Sequence, residues 1–344
     1  MKTSGDMPLV VGVVGAGGIA RPHLLAWSHL GADIVVFSQD GAQELASEHG
    51  ARVARDLDDL LLSCEVVDVC TPSNTHHEIV LRAAAAGRHV ICEKPLSQRW
   101  DEAVSMIAAC EAAGVQLHPG QVVRFFPAYA AAKEVVASGR IGAPAVLRLT
   151  RRGARPEREW FADPAQSGGI LVDQMIHDFD VARWIAGDVV RVFASVRGEA
   201  PGPTVAVAVL THADGALTHV TGGWGHRSER FRTSFWIAGA AGLIRHASGP
   251  SDGLVIDLPD AATGGELLPV SSAAGSPFVA ELAEFAAACM GGDVPRVTAT
   301  DSLAALGIAL AAAQSAATGE AVEVAAMPRR SGTRGRPDLK GVRA

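Results

Sequence analysis

The first third of the chain alternates short, fully apolar runs with stretches whose apolar residues recur every three or four positions. Runs at 9–14, 33–37, 66–70, 89–92 and 114–121 are rich in valine and read as buried parallel strands. The stretches at 22–30, 43–49 and 78–86 read as helices between them. This alternation predicts an α/β unit with a doubly wound parallel sheet and ligands at the carboxyl ends of its strands. Past residue 122 the pattern changes. A helix at 128–138 precedes runs of alternating apolar and polar residues at 145–151, 189–196, 204–211, 216–222 and 230–237, and Asp214-Gly215 between two of them is a hairpin signal. These predict an α+β unit with a large, mostly antiparallel open sheet. Its polar positions, among them His219, Arg232 and Ser234, form an exposed face, and an open sheet of this kind commonly pairs with another subunit. Helices at 277–290 and 301–317 read as packing elements. We therefore expect domains at 1–122 and 123–326. A disordered basic tail is expected at 327–344, where Arg330, Arg334, Arg336, Lys340 and Arg343 sit among Gly, Ser and Pro.

Composition narrows the class. A chain of 344 residues suits two domains, and 48% hydrophobic residues against 19% charged supply ample core. A net charge of −7 without a basic stripe argues against a nucleic-acid partner. Cys64, Cys70, Cys92, Cys110 and Cys289 are odd in number and lie in apolar runs, as reduced cysteines of a cytoplasmic protein do. No run reaches membrane-spanning length, and residues 1–7 are polar with no signal-type apolar core behind them.

Candidate chemistry falls where the strands end. After the first strand comes Gly15-Ala16-Gly17-Gly18-Ile19-Ala20: Gly15 for a tight turn, Gly17 for close approach to a pyrophosphate, Ala20 for close packing of helix on strand. A helix N-terminus follows, offering free N–H groups to that phosphate. The second strand ends in Ser38-Gln39-Asp40, where an acid would receive the adenosine ribose; Gln39 replaces it and Asp40 stands one step late, so NAD and NADP both remain open. Two further strand ends carry Thr71-Pro72-Ser73-Asn74-Thr75-His76 and Glu93-Lys94-Pro95. Thr71, Pro72, Asn74, His76, Glu93 and Lys94 are thus candidate cofactor neighbours. Lys94 is either a surface lysine or a cation near the nicotinamide that holds a substrate hydroxyl. No metal is expected, since His76 and His77 lack partners at zinc-site spacing. Gly168-Gly169 opens an apolar helix-length stretch through Asp180, on which Asp173 and His177, four apart, share one face. That face is either a proton-handling site or an ordinary surface helix with a partly buried histidine.

Taken together, these motifs, in this order and spacing and with Asp180 included, resemble the Gfo/Idh/MocA oxidoreductase family over residues 10–324. The resemblance implies a Rossmann domain, a second α/β domain with an open sheet, a nicotinamide cofactor (NAD or NADP), a sugar or polyol substrate, and a homodimer or homotetramer formed through that sheet. It also implies that Lys94 is the essential lysine, with Asp173 and His177 in the active site. The stretch 173–180 is similar to that of inositol dehydrogenase-like members. Met175, Gln39, and Val122 with Val123 depart from common family patterns, bearing on pocket shape, cofactor and substrate respectively. The reaction then expected is reversible hydride transfer at a secondary hydroxyl, with His177 as base, Lys94 stabilising the alkoxide and Asp173 orienting substrate or histidine; Lys94 is the rival base. Arg124 is expected either to bind substrate or to form a structural ion pair. A tightly held, recycled nicotinamide supporting epimerisation, elimination or glycosidic cleavage is one alternative, and a non-catalytic dinucleotide sensor another.

Overall fold

The computed structural model describes residues 8–156, 159–198, 202–249 and 275–324. The basic tail expected at 327–344 lies outside them.

The first unit runs β1 (Val10–Val14), α1 (Ala20–Leu30), β2 (Asp33–Phe37), α2 (Ala42–His49), β3 (Arg52–Val53), α3 (Leu57–Ser63), β4 (Val66–Val69), α4 (His76–Ala85), β5 (His89–Glu93), α5 (Trp100–Ala113) and β6 (Leu117–Gly120). Its strands pair in the order β3-β2-β1-β4-β5-β6, each pair parallel. The order reverses between β1 and β4, and a crevice opens there at the carboxyl ends. The sequence pattern anticipates this sheet but not β3, α3 or α5. One face buries Val11 and Val13 against Leu24 and Trp27 of α1. The other buries Val67, Val69 and Val90 against Leu60, Val80 and Met106.

A one-turn helix at Val122–Phe125 leads to α6 (Pro127–Ala137) and β7 (Pro144–Ala154). Then come α7 (Glu159–Ala162), α8 (Pro164–Ser167), α9 (Gly169–Asp173), α10 (Ile176–Ala186), β8 (Val189–Arg197), β9 (Thr204–His212), β10 (Leu217–Gly225), β11 (Arg232–Gly239) and β12 (Gly242–Ala247). The chain closes with α11 (Pro277–Cys289), α12 (Ala299–Thr318) and β13 (Val322–Glu323). The second sheet has the order β12-β11-β7-β10-β9-β8-β13; only β7 and β10 pair in parallel. Leu147, Leu149, Ala208, Leu210 and Val220 on its inner face join the core with α10 and α12. The outer face is more apolar than its polar positions suggest, since Phe193, Val205, Val207, Val209 and Leu217 are all exposed. The last third of the chain also returns to the first sheet: Phe278, Leu282 and Phe285 of α11 pack with Val11, Val13 and Trp27. Among the described residues no helix is long and apolar enough to cross a membrane.

The stretch 168–180 is not the single helix its spacing predicts. It breaks into α9 and α10 at Gln174-Met175, where the Met175 N–H returns to the Ile170 carbonyl at 2.9 Å, one residue beyond the helical partner. The second sheet accounts for the break. Met175 is fully buried against Gly222, where a Cβ would come within 2.6 Å of its side chain. Gln174 pairs with both backbone groups of Gly223, its Nε2 donating to the carbonyl at 3.2 Å and its Oε1 accepting from the N–H at 3.1 Å.

Candidate active site

One cavity of about 1110 Å³ lies where the two sheets meet, and Gly15, Ala16, Gly17, Gly18, Ile19, Ser38, Gln39, Thr71, Pro72, Glu93, Lys94, Asp173 and His177 all line it. That volume exceeds the roughly 300–1,000 Å³ typical of a small-ligand pocket.

At the glycine loop Gly15 has φ +110°, and a Cβ there would sit 2.6 Å from the Cys70 carbonyl at the end of β4. Only glycine lets these strand ends lie so close. A Cβ on Gly18 would meet nothing within 4 Å, so that part of the loop faces open space. Helix α1 begins beside it with no side-chain cap and no acid in its first turn. Unpaired N–H groups facing an empty recess suit a pyrophosphate, and the loop thus fits the phosphate end of a dinucleotide. The far end is acidic: Asp40, Asp56 and Glu78 line it, and its cation, Arg82, is paired with Asp58 at 2.5 Å.

Lys94 reaches across from the first sheet, its Nζ donating to the Asp173 carbonyl oxygen at 2.7 Å and to Oδ1 at 3.2 Å. Asp173 thereby orients the lysine, leaving the histidine unheld. His177 opens α10 one turn further on, and its Nδ1 is buried without a hydrogen-bond partner. Burial, with the positive charges of Lys94 and Arg151, holds the His177 pKa well below the usual histidine value. The ring is therefore a neutral imidazole, able to accept a proton but opposed by its neighbours from keeping one.

Behind the lysine is a polar network inside the first core. The Lys94 N–H donates to Glu93 Oε2 at 3.0 Å, and Glu93 Oε1 lies 3.1 Å from His23 Nε2. His23 Nδ1 lies 2.9 Å from Asp68 Oδ2, which also accepts from Trp27 Nε1 at 2.7 Å. Burial opposes charge on His23, but Asp68 and Cys70 outweigh it and raise the pKa well above the usual value. Both ring nitrogens then donate, and the imidazolium bridges two carboxylates. Donor atoms of His23, Asp68 and Cys70 lie within 4.8 Å of one another, as in a metal site, yet these hydrogen bonds already occupy the histidine and the carboxylate. Glu281 from α11 is buried nearby with neither oxygen bonded; desolvation, then Glu93 and Asp68, push its pKa well up.

Three expected site residues stand elsewhere. Asn74 is exposed and outside the cavity wall. His76 is fully buried and bridges the Pro95 and Thr71 carbonyl oxygens, each at 3.0 Å, so it braces the two loops instead of touching the cavity. Arg124 takes the structural role: buried, it forks onto Asp180 at 2.8 and 2.6 Å and donates to the Arg296 carbonyl at 2.8 Å. Asp180 is thereby withdrawn from Asp173 and His177.

The cavity also gathers residues that sequence reasoning passed over: Arg151, Trp160, Phe161, Gln174, Trp224 and Phe231. Arg151 carries a readable signal, because it falls on the same buried parity of β7 as Leu147 and Leu149, and an arginine there requires a partner. The partner is Asp178, at 2.9 and 3.1 Å.

This pairing of a first unit that carries both a glycine loop and a strand-end lysine with a second unit built on an open sheet defines a class. Residues 9–121 match the oxidoreductase family with an NAD-binding Rossmann fold, and residues 129–245 match the GFO/IDH/MocA C-terminal domain. The chain belongs to the Gfo/Idh/MocA oxidoreductase family. Myo-inositol 2-dehydrogenase of Thermotoga maritima is 36% identical over 60% of this chain and 66% of its own length, so the chain spans about two thirds of that relative. The 1,5-anhydro-D-fructose reductase of Ensifer adhaerens is 29% identical over 91% of this chain and 98% of its own. The crystal structure of GenD2 from gentamicin A biosynthesis in complex with NAD superposes with a TM-score of 0.81 at 27% identity, covering 95% of this chain and all of that one.

Proposed function

We propose that the protein is an NAD-dependent dehydrogenase acting on a secondary hydroxyl of a sugar or cyclic polyol. The observation that carries this reading is the convergence of Lys94, Asp173 and His177 in the same cavity as the glycine loop. Relatives named as inositol dehydrogenase and anhydrofructose reductase support the substrate class. The glycine loop at 15–19 would hold the dinucleotide, whose nicotinamide would supply the hydride chemistry at the carbinol carbon. The chain supplies the rest. His177, neutral at pH 7, accepts the hydroxyl proton. Lys94 places its ammonium beside the alkoxide that forms, and Asp173 holds that ammonium in place. The acidic far end of the cavity disfavours the extra phosphate of NADP.

The exposed valines of β9, with Phe193, support association of two or more copies through the outer face. Five buried, free cysteines support a reducing, cytoplasmic setting. The test of the reaction is a screen of purified protein with NAD and NADP against inositols, aldoses, alditols, and alkyl and aryl glycosides, followed as reduced nicotinamide. We expect signal with NAD and a Lys94-dependent rate; silence from the whole panel, glycosides included, would sink the reading.

A further inference from the structure

On the part of the wall built by the second unit, Gln174 and Arg151 are tied to neighbours, and most of the remaining side chains are aromatic. Gln174 spends its amide on the Gly223 backbone, at 3.2 and 3.1 Å. Arg151 forks its Nε and Nη2 onto Asp178, which fixes its guanidinium, and Phe231 lies against it, ring centroid 5.8 Å away. Trp160 and Phe161 stack at 3.7 Å between ring centroids, and Phe161 meets Trp224 edge to face at 6.4 Å, giving a continuous aromatic surface. Val122, Val123 and Phe126 also line the cavity. Lys94, Asp173 and His177, the polar groups assigned to the reaction, are clustered together.

A ring hydroxylated on every carbon fits this lining poorly. Hydroxyls turned onto the ring faces would give up water for few partners beyond the indole N–H edges of Trp160 and Trp224, whereas an apolar group would be buried there favourably. We propose that the substrate bears a flat apolar substituent, such as an aryl aglycone, beside the sugar or cyclitol ring whose hydroxyl reacts at Lys94 and His177. This rests on the dehydrogenase reading above and narrows its substrate class from free polyols to hydrophobic glycosides. The polar cluster takes the reacting hydroxyl, and the aromatic wall takes the substituent.

The test is calorimetric binding to the NADH-saturated protein, using matched methyl and phenyl β-D-glucopyranosides, β-D-galactopyranosides and α-D-mannopyranosides. We expect at least one phenyl glycoside to bind about 10- to 100-fold more tightly than its methyl partner, the range set by burying one phenyl ring. The variant Trp160→Ala, with its fold verified by circular dichroism, should bring the two affinities together. Equal affinities within every pair, or no binding by any phenyl glycoside, overturns the inference. Hydride transfer is measured separately with the same compounds. Phenyl-selective binding without any turnover would uphold the pocket's preference and defeat the dehydrogenase reading. Turnover without phenyl preference would do the reverse.

Discussion

Lys94, just past β5, and Asp173, at the end of α9, join the two units in the cavity wall: the ammonium sits 2.7 Å from the aspartate's carbonyl oxygen and 3.2 Å from its carboxylate. Both side chains are mostly buried, so water screens the pair little. Lys94→Ala should lower kcat by about 10²–10³-fold, the usual loss of one preorganised charge at a developing oxyanion. NADH affinity, read by fluorescence titration, should stay near wild type. Full turnover in this variant would remove Lys94 from the mechanism.

The pH profile should carry the mark of His177. Burial comes first, and Lys94 and Arg151 add to it, in holding its pKa well below the usual value of about 6.5. With His177 as the proposed base the neutral ring is the active form, so kcat/KM should stay level as pH falls past 6.5 and drop only at more acid pH. Removing one of the depressing charges by Lys94→Met should move the acid limb of the residual activity upward. An unmoved limb would mean that another group titrates.

His23 gives a stability prediction with the opposite sign. Its folded pKa is raised, so its contribution is complete below about pH 6.5 and is lost as pH rises through the folded value. His23→Ala leaves Asp68 and Glu93 buried without their shared cation and should cost about 3–5 kcal/mol near pH 6. Urea unfolding of both proteins between pH 6 and 10 should show the gap narrowing upward; a gap that widens contradicts the bridging imidazolium.

Glu281 should behave in reverse to an ordinary ion-paired acid. Desolvation, with Glu93 and Asp68, raises its folded pKa, so the native state loses stability as pH climbs from the unfolded glutamate value toward the folded one. Glu281→Gln escapes that loss and should melt at higher temperature than wild type at pH 7. A lower melting temperature would point to a bond that the carboxylate makes and the amide does not.

Cofactor choice should follow the acids around Asp40. With Arg82 paired to Asp58, the far end of the cavity offers a 2′-phosphate chiefly carboxylates. NAD should be preferred over NADP by at least about tenfold in kcat/KM, and Asp40→Ser should narrow that ratio. Equal use of both cofactors by wild type would give Gln39 the meaning of a tolerant site.

What could be read from the chain was what is local. The strands of the first sheet, the glycine loop, and Lys94 at a strand end each depend on a few adjacent residues. Helix α5 escaped because apolar residues, Trp100, Val104, Ala108, Ala112 and Ala113, also stand at its exposed positions, which blurs a real spacing of Ala103, Met106 and Cys110. Strand β3 has two residues and no pattern to show. The break at Gln174-Met175 is imposed from β10, nearly fifty residues downstream, where Gly222 and Gly223 receive those side chains. The network behind Lys94 draws His23, Asp68 and Glu93 from three elements. A histidine on an apolar helix face and an aspartate inside an apolar strand hint at burial, but only the fold pairs them.

The return of α11 to the first sheet ties the order of synthesis to the order of folding. Residues near 280 supply Phe278, Leu282 and Phe285 to the same cluster as Val11 and Trp27 near the N-terminus. A nascent chain released or cut after the second sheet would display that apolar surface to water. The nucleotide-binding unit should therefore be insoluble when expressed alone as residues 1–122, and the intact protein should melt in a single transition.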